Sequence, residues 1–181
     1  MVDDKAFWGI IGTVLGVIIG FFCNVAHTYY LKRMRTCELK KALKDECISL
    51  KNQLPMLIDI FEQCIQKLSQ GKILPGPAVH SLSTVYRSSI SEIYPYLSLK
   101  ERNLLHVVYE RLRVGDEILE NYVSILSREL QEGLINDPIQ GWIIRMKDQI
   151  DSYRIVDNLL KSYINKNPID VFNIDAKPLS D

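Results

Sequence analysis

A long stretch without Asp, Glu, Lys or Arg lies near the N-terminus, from Ala6 to Leu31, and it constrains the fold more than any other feature. Its first eighteen residues, Ala6 to Cys23, would span about 27 Å as a helix. The uncharged extension to Leu31 makes the stretch long enough to cross a bilayer with some tilt. A cleaved signal peptide would need a basic start, whereas "MVDDK" carries two acids and one base. The sequence therefore predicts an N-terminal tail and transmembrane helix in residues 1–31, since a core helix this apolar is unusual in a small domain.

The residues after this stretch predict its orientation in the membrane. They include six basic side chains against a single acid before Asp45: Lys32, Arg33, Arg35, Lys40, Lys41 and Lys44. The positive-inside bias places the large C-terminal part in the cytoplasm and the N-terminus outside. Anionic headgroups account for this basic cluster. Direct nucleic-acid binding is not predicted, because no aromatic residues are interleaved with the basic ones and the chain balances 22 basic against 22 acidic residues.

Small residues recur at four-residue steps inside the apolar stretch. The series at steps of four is Gly12, Gly16, Gly20, Asn24 and Thr28, and Gly9 adds a further small position. Bulky apolar side chains fill the other sides of the helix: Ile10, Leu15, Ile18, Phe21 and Phe22. Because small residues let transmembrane helices approach closely, this pattern predicts self-association. Two assemblies remain open, namely a tight dimer and a larger ring with the polar positions at the mouth of a gated channel.

Helical periodicity continues through residues 32–166, with no strand pattern, and predicts an all-α cytoplasmic bundle of about four helices. The first apolar stripe, at steps of three and four, consists of Leu39, Leu43, Cys47, Leu50 and Leu54. The transmembrane helix is therefore predicted to continue into the bundle and to end near Gly71, which can cap it. Pro55 lies within this helix and removes one of its backbone hydrogen bonds.

Three further helices are predicted from their start and stop residues. Their ranges are about Ala78 to Ile93, Leu99 to about Glu132, and Asp137 to about Asn165. Ser98 and Glu101 form an S-x-x-E capping box before the second helix. Gly133 ends that helix, and Pro138 opens the next one. The apolar side of this last helix consists of Ile143, Met146, Ile150, Tyr153 and Leu160. The C-terminal tail, residues 167–181, has no periodicity.

Few side chains are candidates for catalysis. The sequence has no phosphate-binding loop, serine-hydrolase, zinc-protease or calcium-binding motif, and its four cysteines form no C-x-x-C pair. No metal or cofactor is predicted. Arg102 and His106 in "ERNLLH" share a helix face at positions i and i+4, where a guanidinium can hold phosphate oxygens while an imidazole moves a proton. A structural role on the bundle surface is the simpler interpretation of this pair.

A single N-terminal span, a cytoplasmic helical bundle and the "ERNLLH" pair together resemble the membrane accessory proteins encoded beside the RNA-guided, RNA-targeting effector of type VI-B CRISPR loci. That family is described as carrying a divergent HEPN domain, a helical bundle often found in RNases with an R-x(4–6)-H motif. Arg102 and Asn103 match the start of the motif, whereas His106 leaves three residues between, one short of the pattern. The resemblance covers the whole chain in its layout.

The resemblance implies an HEPN-like, non-enzymatic homo-oligomer, larger than a dimer, in the bacterial inner membrane. It also implies a pore that depolarises this membrane when the effector recognises viral RNA, and so strengthens antiviral defence. The implied partners are other copies of the chain, the lipid bilayer and, functionally, the effector complex. Two alternatives remain, a membrane-tethered RNase that uses Arg102 and His106, and a non-enzymatic dimeric scaffold.

Overall fold

The computed structural model describes residues 4–74, 80–81, 83–132 and 138–166, and all regular structure within them is helical. The elements are α1 (Asp4–Ser69), α2 (Thr84–Ile93), a 3₁₀ turn (Tyr94–Tyr96), α3 (Leu99–Glu132) and α4 (Pro138–Ile164). The predicted all-α class is confirmed, as are the predicted courses of α3 and α4. The predicted stop at Gly133, the start at Asp137 and the tail 167–181 lie outside the described residues.

Helix α1 is 66 residues long and passes through Pro55. By its internal contacts the chain divides into an N-terminal unit, up to Lys41, and a helical bundle that begins at Ala42. The boundary predicted after residue 31 marks a different property, the end of the apolar stretch. Both boundaries fall within the same helix.

In the described part of the N-terminal unit, most apolar side chains are exposed. Every residue from Gly12 to Arg35 is exposed. An eighteen-residue window of α1 has a mean hydropathy of 1.7, and none of it is buried. So much exposed apolar surface is unfavourable in water but suits hydrocarbon. By length and composition, this part of α1 can cross a membrane.

In the bundle, the same helix α1 buries its apolar stripe. The predicted positions Leu43, Cys47, Leu50 and Leu54 are at most 2% exposed, whereas Leu39, in the N-terminal unit, is partly exposed. The stripe continues through Leu57, Phe61, Cys64 and Leu68. The predicted apolar side of α4 is buried as well: Ile143, Met146, Ile150, Tyr153 and Leu160. Steps of three and four residues keep each of these sets on one helix face, which therefore faces the core.

Two predicted helix ends are confirmed by their hydrogen bonds. After α1, Gly71 adopts a left-handed φ of 70°, and its N–H donates to the Leu68 carbonyl at 2.9 Å, which satisfies a carbonyl at the helix end. Before α3, the Ser98 N–H donates to the Glu101 carboxylate at 2.7 Å, and the Glu101 N–H donates to the Ser98 hydroxyl at 3.3 Å. These reciprocal bonds are the predicted capping box.

Helix α2 begins at Thr84, so the start predicted at about Ala78 is wrong. Ser81 and Ser83, which the prediction placed inside the helix, are not helical. The reason is a tertiary contact with Asp116 of α3, which is buried. The Ser81 N–H donates to one Asp116 carboxylate oxygen at 3.0 Å, and the Ser81 hydroxyl donates to the other at 2.8 Å. This pair of bonds holds the segment against α3 and uses the N–H that a helix would need.

The first turn of α2 is capped by Glu46, which belongs to α1. Ser83 occupies the N-cap position but makes no side-chain cap bond. The N–H groups of Val85 and Tyr86 donate to the Glu46 carboxylate at 2.6 and 3.1 Å, and the Tyr109 hydroxyl of α3 donates to it at 2.6 Å. A buried carboxylate is tolerated when donors surround it, and the positive end of α2 favours its charge. Glu46 therefore joins α1, α2 and α3.

Helices α3 and α4 pack closely at Gly115. A Cβ atom at this position would overlap the Tyr153 hydroxyl and would lie 2.8 Å from the side-chain nitrogen of Gln149. That nitrogen donates to the carbonyl of Arg111 at 2.9 Å, so it is held in place across the interface. Close approach of the two helices thus explains the glycine.

We expect Glu46→Gln to lower the free energy of unfolding by about 1–3 kcal/mol, because the amide turns an NH₂ group toward donors that need an acceptor. A loss of 1 kcal/mol shifts the melting temperature of a chain this size by roughly 2–4 °C, which tryptophan fluorescence of the full chain in detergent can measure. The matched control is Glu62→Gln, at an exposed position on the same helix. Equal melting temperatures for the two variants would contradict the capping role.

We expect Gly115→Ala to destabilise the bundle by about 1–3 kcal/mol, the usual cost of overpacking a core. Gly141→Ala on α4 is the control, because a Cβ there meets nothing within 4 Å, and alanine in an open helical position is favoured by roughly 0.5–1 kcal/mol. The same thermal melts report both effects. A Gly115→Ala variant at least as stable as wild type would show that α3 and α4 do not pack as described.

Candidate functional site

The stripe of small residues on α1 is fully accessible. A Cβ atom added at Gly9, Gly12, Gly16 or Gly20 meets nothing within 4 Å. Further along α1, Asn24 and Thr28 are exposed too, and the Thr28 hydroxyl donates to the Asn24 carbonyl at 2.9 Å. The backbone of this face is therefore open to close approach by another helix.

The small-residue stripe winds slowly around α1. At about 100° per residue, each step of four advances the stripe by about 40°. A second helix that follows such a row crosses at an angle, and G-x-x-x-G pairs cross right-handed at about −40°. The described bulky residues of the other sides are exposed as well: Leu15, Ile18, Phe21 and Phe22. Ile10 was predicted among them, and its side chain lies outside those described. The helix thus offers one face for close packing and others suited to lipid.

The basic cluster follows the apolar stretch directly. Lys32, Arg33, Arg35 and Lys41 are exposed, and Lys40 and Lys44 are partly exposed. Side chains of this kind can reach anionic headgroups while their apolar stems lie along the helix. The cluster therefore fits the surface of a membrane that α1 enters.

Arg102 and His106 occupy different environments on α3. The Arg102 side chain is partly buried and its Nε donates to the Leu97 carbonyl at 2.9 Å. Its guanidinium carbon lies 4.5 Å from the centre of the Tyr94 ring, a cation–π distance. His106, one turn later, is exposed. The guanidinium thus braces the turn between α2 and α3 through two contacts that do not involve the imidazole.

A buried polar cluster around Glu46 was not predicted from the sequence. The rings of Tyr86 and Tyr109 stack at 3.7 Å with an angle of 9° between their planes. Burial raises the pKa of the Tyr109 hydroxyl, which therefore remains a donor to Glu46. The sequence signal was weak: Glu46 directly precedes the buried Cys47 and so flanks the apolar stripe.

The described part of the bundle offers no reactive thiol or metal site in its core. Burial raises the pKa of the Cys47 thiol to about 12, and burial also raises the pKa of the Cys64 thiol. Both thiols are therefore protonated and poorly nucleophilic at neutral pH. Cys23 and Cys37 are exposed. Among the described residues, no group of three or more His, Cys, Asp or Glu side chains is placed to hold a metal ion.

Comparisons with known proteins leave the function to be argued from these residues. No family model matches the chain, and no curated protein or solved structure matches it. The resemblance to the CRISPR accessory family therefore stays a prediction. It depends on the layout of the chain and on the "ERNLLH" pair.

We expect Arg102→Ala to lower the free energy of unfolding by about 1–3 kcal/mol, because a hydrogen bond from a charged donor and a ring contact are lost together. His106→Ala at the exposed position should change it by less than about 0.5 kcal/mol. Thermal melts of the two single variants distinguish these effects. Equal stability of both variants, with equal loss of any RNase activity, would instead favour a catalytic pair.

Proposed function

We propose that this protein crosses the bacterial inner membrane once through α1, and assembles there into a homo-oligomer larger than a dimer. The oligomer forms a gated pore. Opening of the pore depolarises the membrane and strengthens RNA-guided antiviral defence of the CRISPR type. The observation that carries the proposal is the accessible stripe of small residues along the apolar part of α1.

Self-association is supported by the unequal faces of α1. In lipid, apolar side chains gain little by leaving one apolar neighbour for another, so helices associate through close packing. Gly12, Gly16 and Gly20 leave the backbone uncovered, whereas Phe21 and Phe22 protrude elsewhere, with 64% and 65% of their surface exposed. A helix that only anchored the chain as a monomer would gain nothing from this difference between its faces.

The pore is supported by the way the stripe changes along the helix. Glycines occupy the first part of the stripe, and Asn24 and Thr28 follow toward the end of the apolar stretch that we propose to be cytoplasmic. In a ring, each stripe meets a neighbouring helix, and the polar side chains can line a narrow mouth. Because the remaining lining is apolar, such a channel stays closed by dewetting until it is opened.

The orientation of α1 in the membrane and the trigger that opens the pore are supported by two other features, the basic cluster and the family resemblance. The exposed basic cluster Lys32, Arg33 and Arg35 supports a cytoplasmic bundle through the positive-inside bias. The resemblance to the accessory family supplies the trigger, recognition of viral RNA by the effector. An HEPN-like bundle would then serve in assembly and gating, without cleaving RNA.

The proposal is tested by Gly16→Leu, with Val17→Leu as the matched control. Leucine at position 16 fills the small-residue stripe, whereas position 17 is already apolar, 67% exposed and turned by about 100°. Gly16→Leu should reduce the oligomeric mass in detergent and abolish depolarisation of infected cells, as read with a potential-sensitive dye. Val17→Leu should preserve both.

Other outcomes would separate the alternatives. An assembled, fully active Gly16→Leu variant would overturn the role of the stripe. A wild-type mass that corresponds to a dimer would favour the scaffold over the pore. If an Arg102→Ala, His106→Ala double variant still accumulates in the membrane and loses only RNA cleavage, the RNase interpretation is favoured.

A further inference from the structure

The turn between α2 and α3 and the start of α3 expose two tyrosines, a leucine and a lysine. We call this group the bundle tip: Tyr94, Tyr96, Leu99 and Lys100. Tyr94, Tyr96 and Leu99 are 48%, 45% and 69% exposed, and Lys100 beside them is exposed. The 3₁₀ turn and the capping box fix the backbone here, and Arg102 holds the Tyr94 ring by its cation–π contact. These contacts therefore give the tip a defined backbone conformation and hold the Tyr94 ring in place.

The course of α3 places the tip at the end of the bundle where α1 enters. Tyr109 bonds Glu46. Seven residues further along each helix, Asp116 of α3 and Gln53 of α1 bond the adjacent residues Ser81 and His80. The two helices therefore run in the same direction. Leu99 precedes Tyr109 by ten residues, about 15 Å of helix, whereas Ala42 precedes Glu46 by only four, about 6 Å. The tip thus lies at the same end of the bundle as Ala42, the first residue of the bundle on α1.

We propose that the bundle tip inserts into the headgroup region of the bilayer that α1 crosses, and so makes a second contact between the bundle and the membrane. This inference rests on the membrane-crossing role of α1 proposed above, but on neither the pore nor its trigger. Tyrosine rings are favoured at headgroup depth. Leu99 reaches the acyl boundary, and Lys100 pairs with anionic lipid phosphates.

Covalent connection makes a weak lipid contact effective. Only ten residues, 32–41, connect Leu31 to Ala42. The tip is therefore held at a high effective concentration near the surface, and a modest affinity suffices. Lipid fits the tip better than a second copy of the chain, because two tyrosines, a leucine and a lysine combine the aromatic and cationic groups of a membrane interface.

The test uses the full chain reconstituted into vesicles of phosphatidylethanolamine and phosphatidylglycerol, some of which carry bromine on the acyl chain near the headgroup. Leu99→Trp and, as a more conservative variant, Tyr96→Trp are made in a Trp8→Phe background. The matched control is Val114→Trp, at a 41% exposed position further along α3. Both tip variants should lose most of the added fluorescence to bromine, whereas the control should keep it. Trp142 is buried and contributes equally to all.

The outcomes separate failure of this inference from failure of the membrane span. The unaltered chain carries Trp8 near the N-terminal end of the apolar stretch. Bromine should quench part of the Trp8 emission if α1 crosses the bilayer. Quenched Trp8 with unquenched tip variants would overturn the tip contact alone. Unquenched tip variants with blue-shifted emission would assign the tip to contact with a second copy. If Trp8 is also unquenched, the span itself is wrong and the inference falls with it.

Discussion

The bundle depends on the position of one buried carboxylate, that of Glu46. A carboxylate in a core is unfavourable unless hydrogen-bond donors surround it, and here two N–H groups of α2 and the hydroxyl of Tyr109 do so. The donors come from two other helices, so α2 can begin only where α1 and α3 allow it. The turn after α2, and with it the bundle tip, takes its place from that start.

The apolar residues of helix α1 lie in two different environments. In the bundle, Leu43, Leu50 and Phe61 lie on a stripe that other helices cover. In the N-terminal unit, apolar residues such as Val17 and Ile19 surround the helix and are exposed. Water drives burial of the first set. For the second set we propose lipid as the solvent, in which close packing at small residues would decide which faces meet.

Two side chains of the described bundle that could do chemistry, Cys47 and Arg102, are buried or make structural contacts. The Cys47 thiol is protonated, and Arg102 contacts Leu97 and Tyr94. Helix α1 exposes three kinds of surface: a small-residue stripe, bulky apolar sides and a basic cluster. The proposed functions accordingly concern assembly and contact with lipid.

The sequence by itself determined the features that depend on local spacing. The all-α class, the buried stripe of α1, the capping box at Ser98 and the apolar side of α4 follow from periods of three and four residues and from short-range hydrogen bonds. Only the tertiary structure decided the start of α2, the role of Gly115 and the exposure of Leu99. The physical reason is that partners distant in sequence decide the first two: Glu46 and Asp116 lie on other helices than α2, and Tyr153 belongs to the helix opposite Gly115. Leu99 is exposed because the packing of the bundle leaves it uncovered.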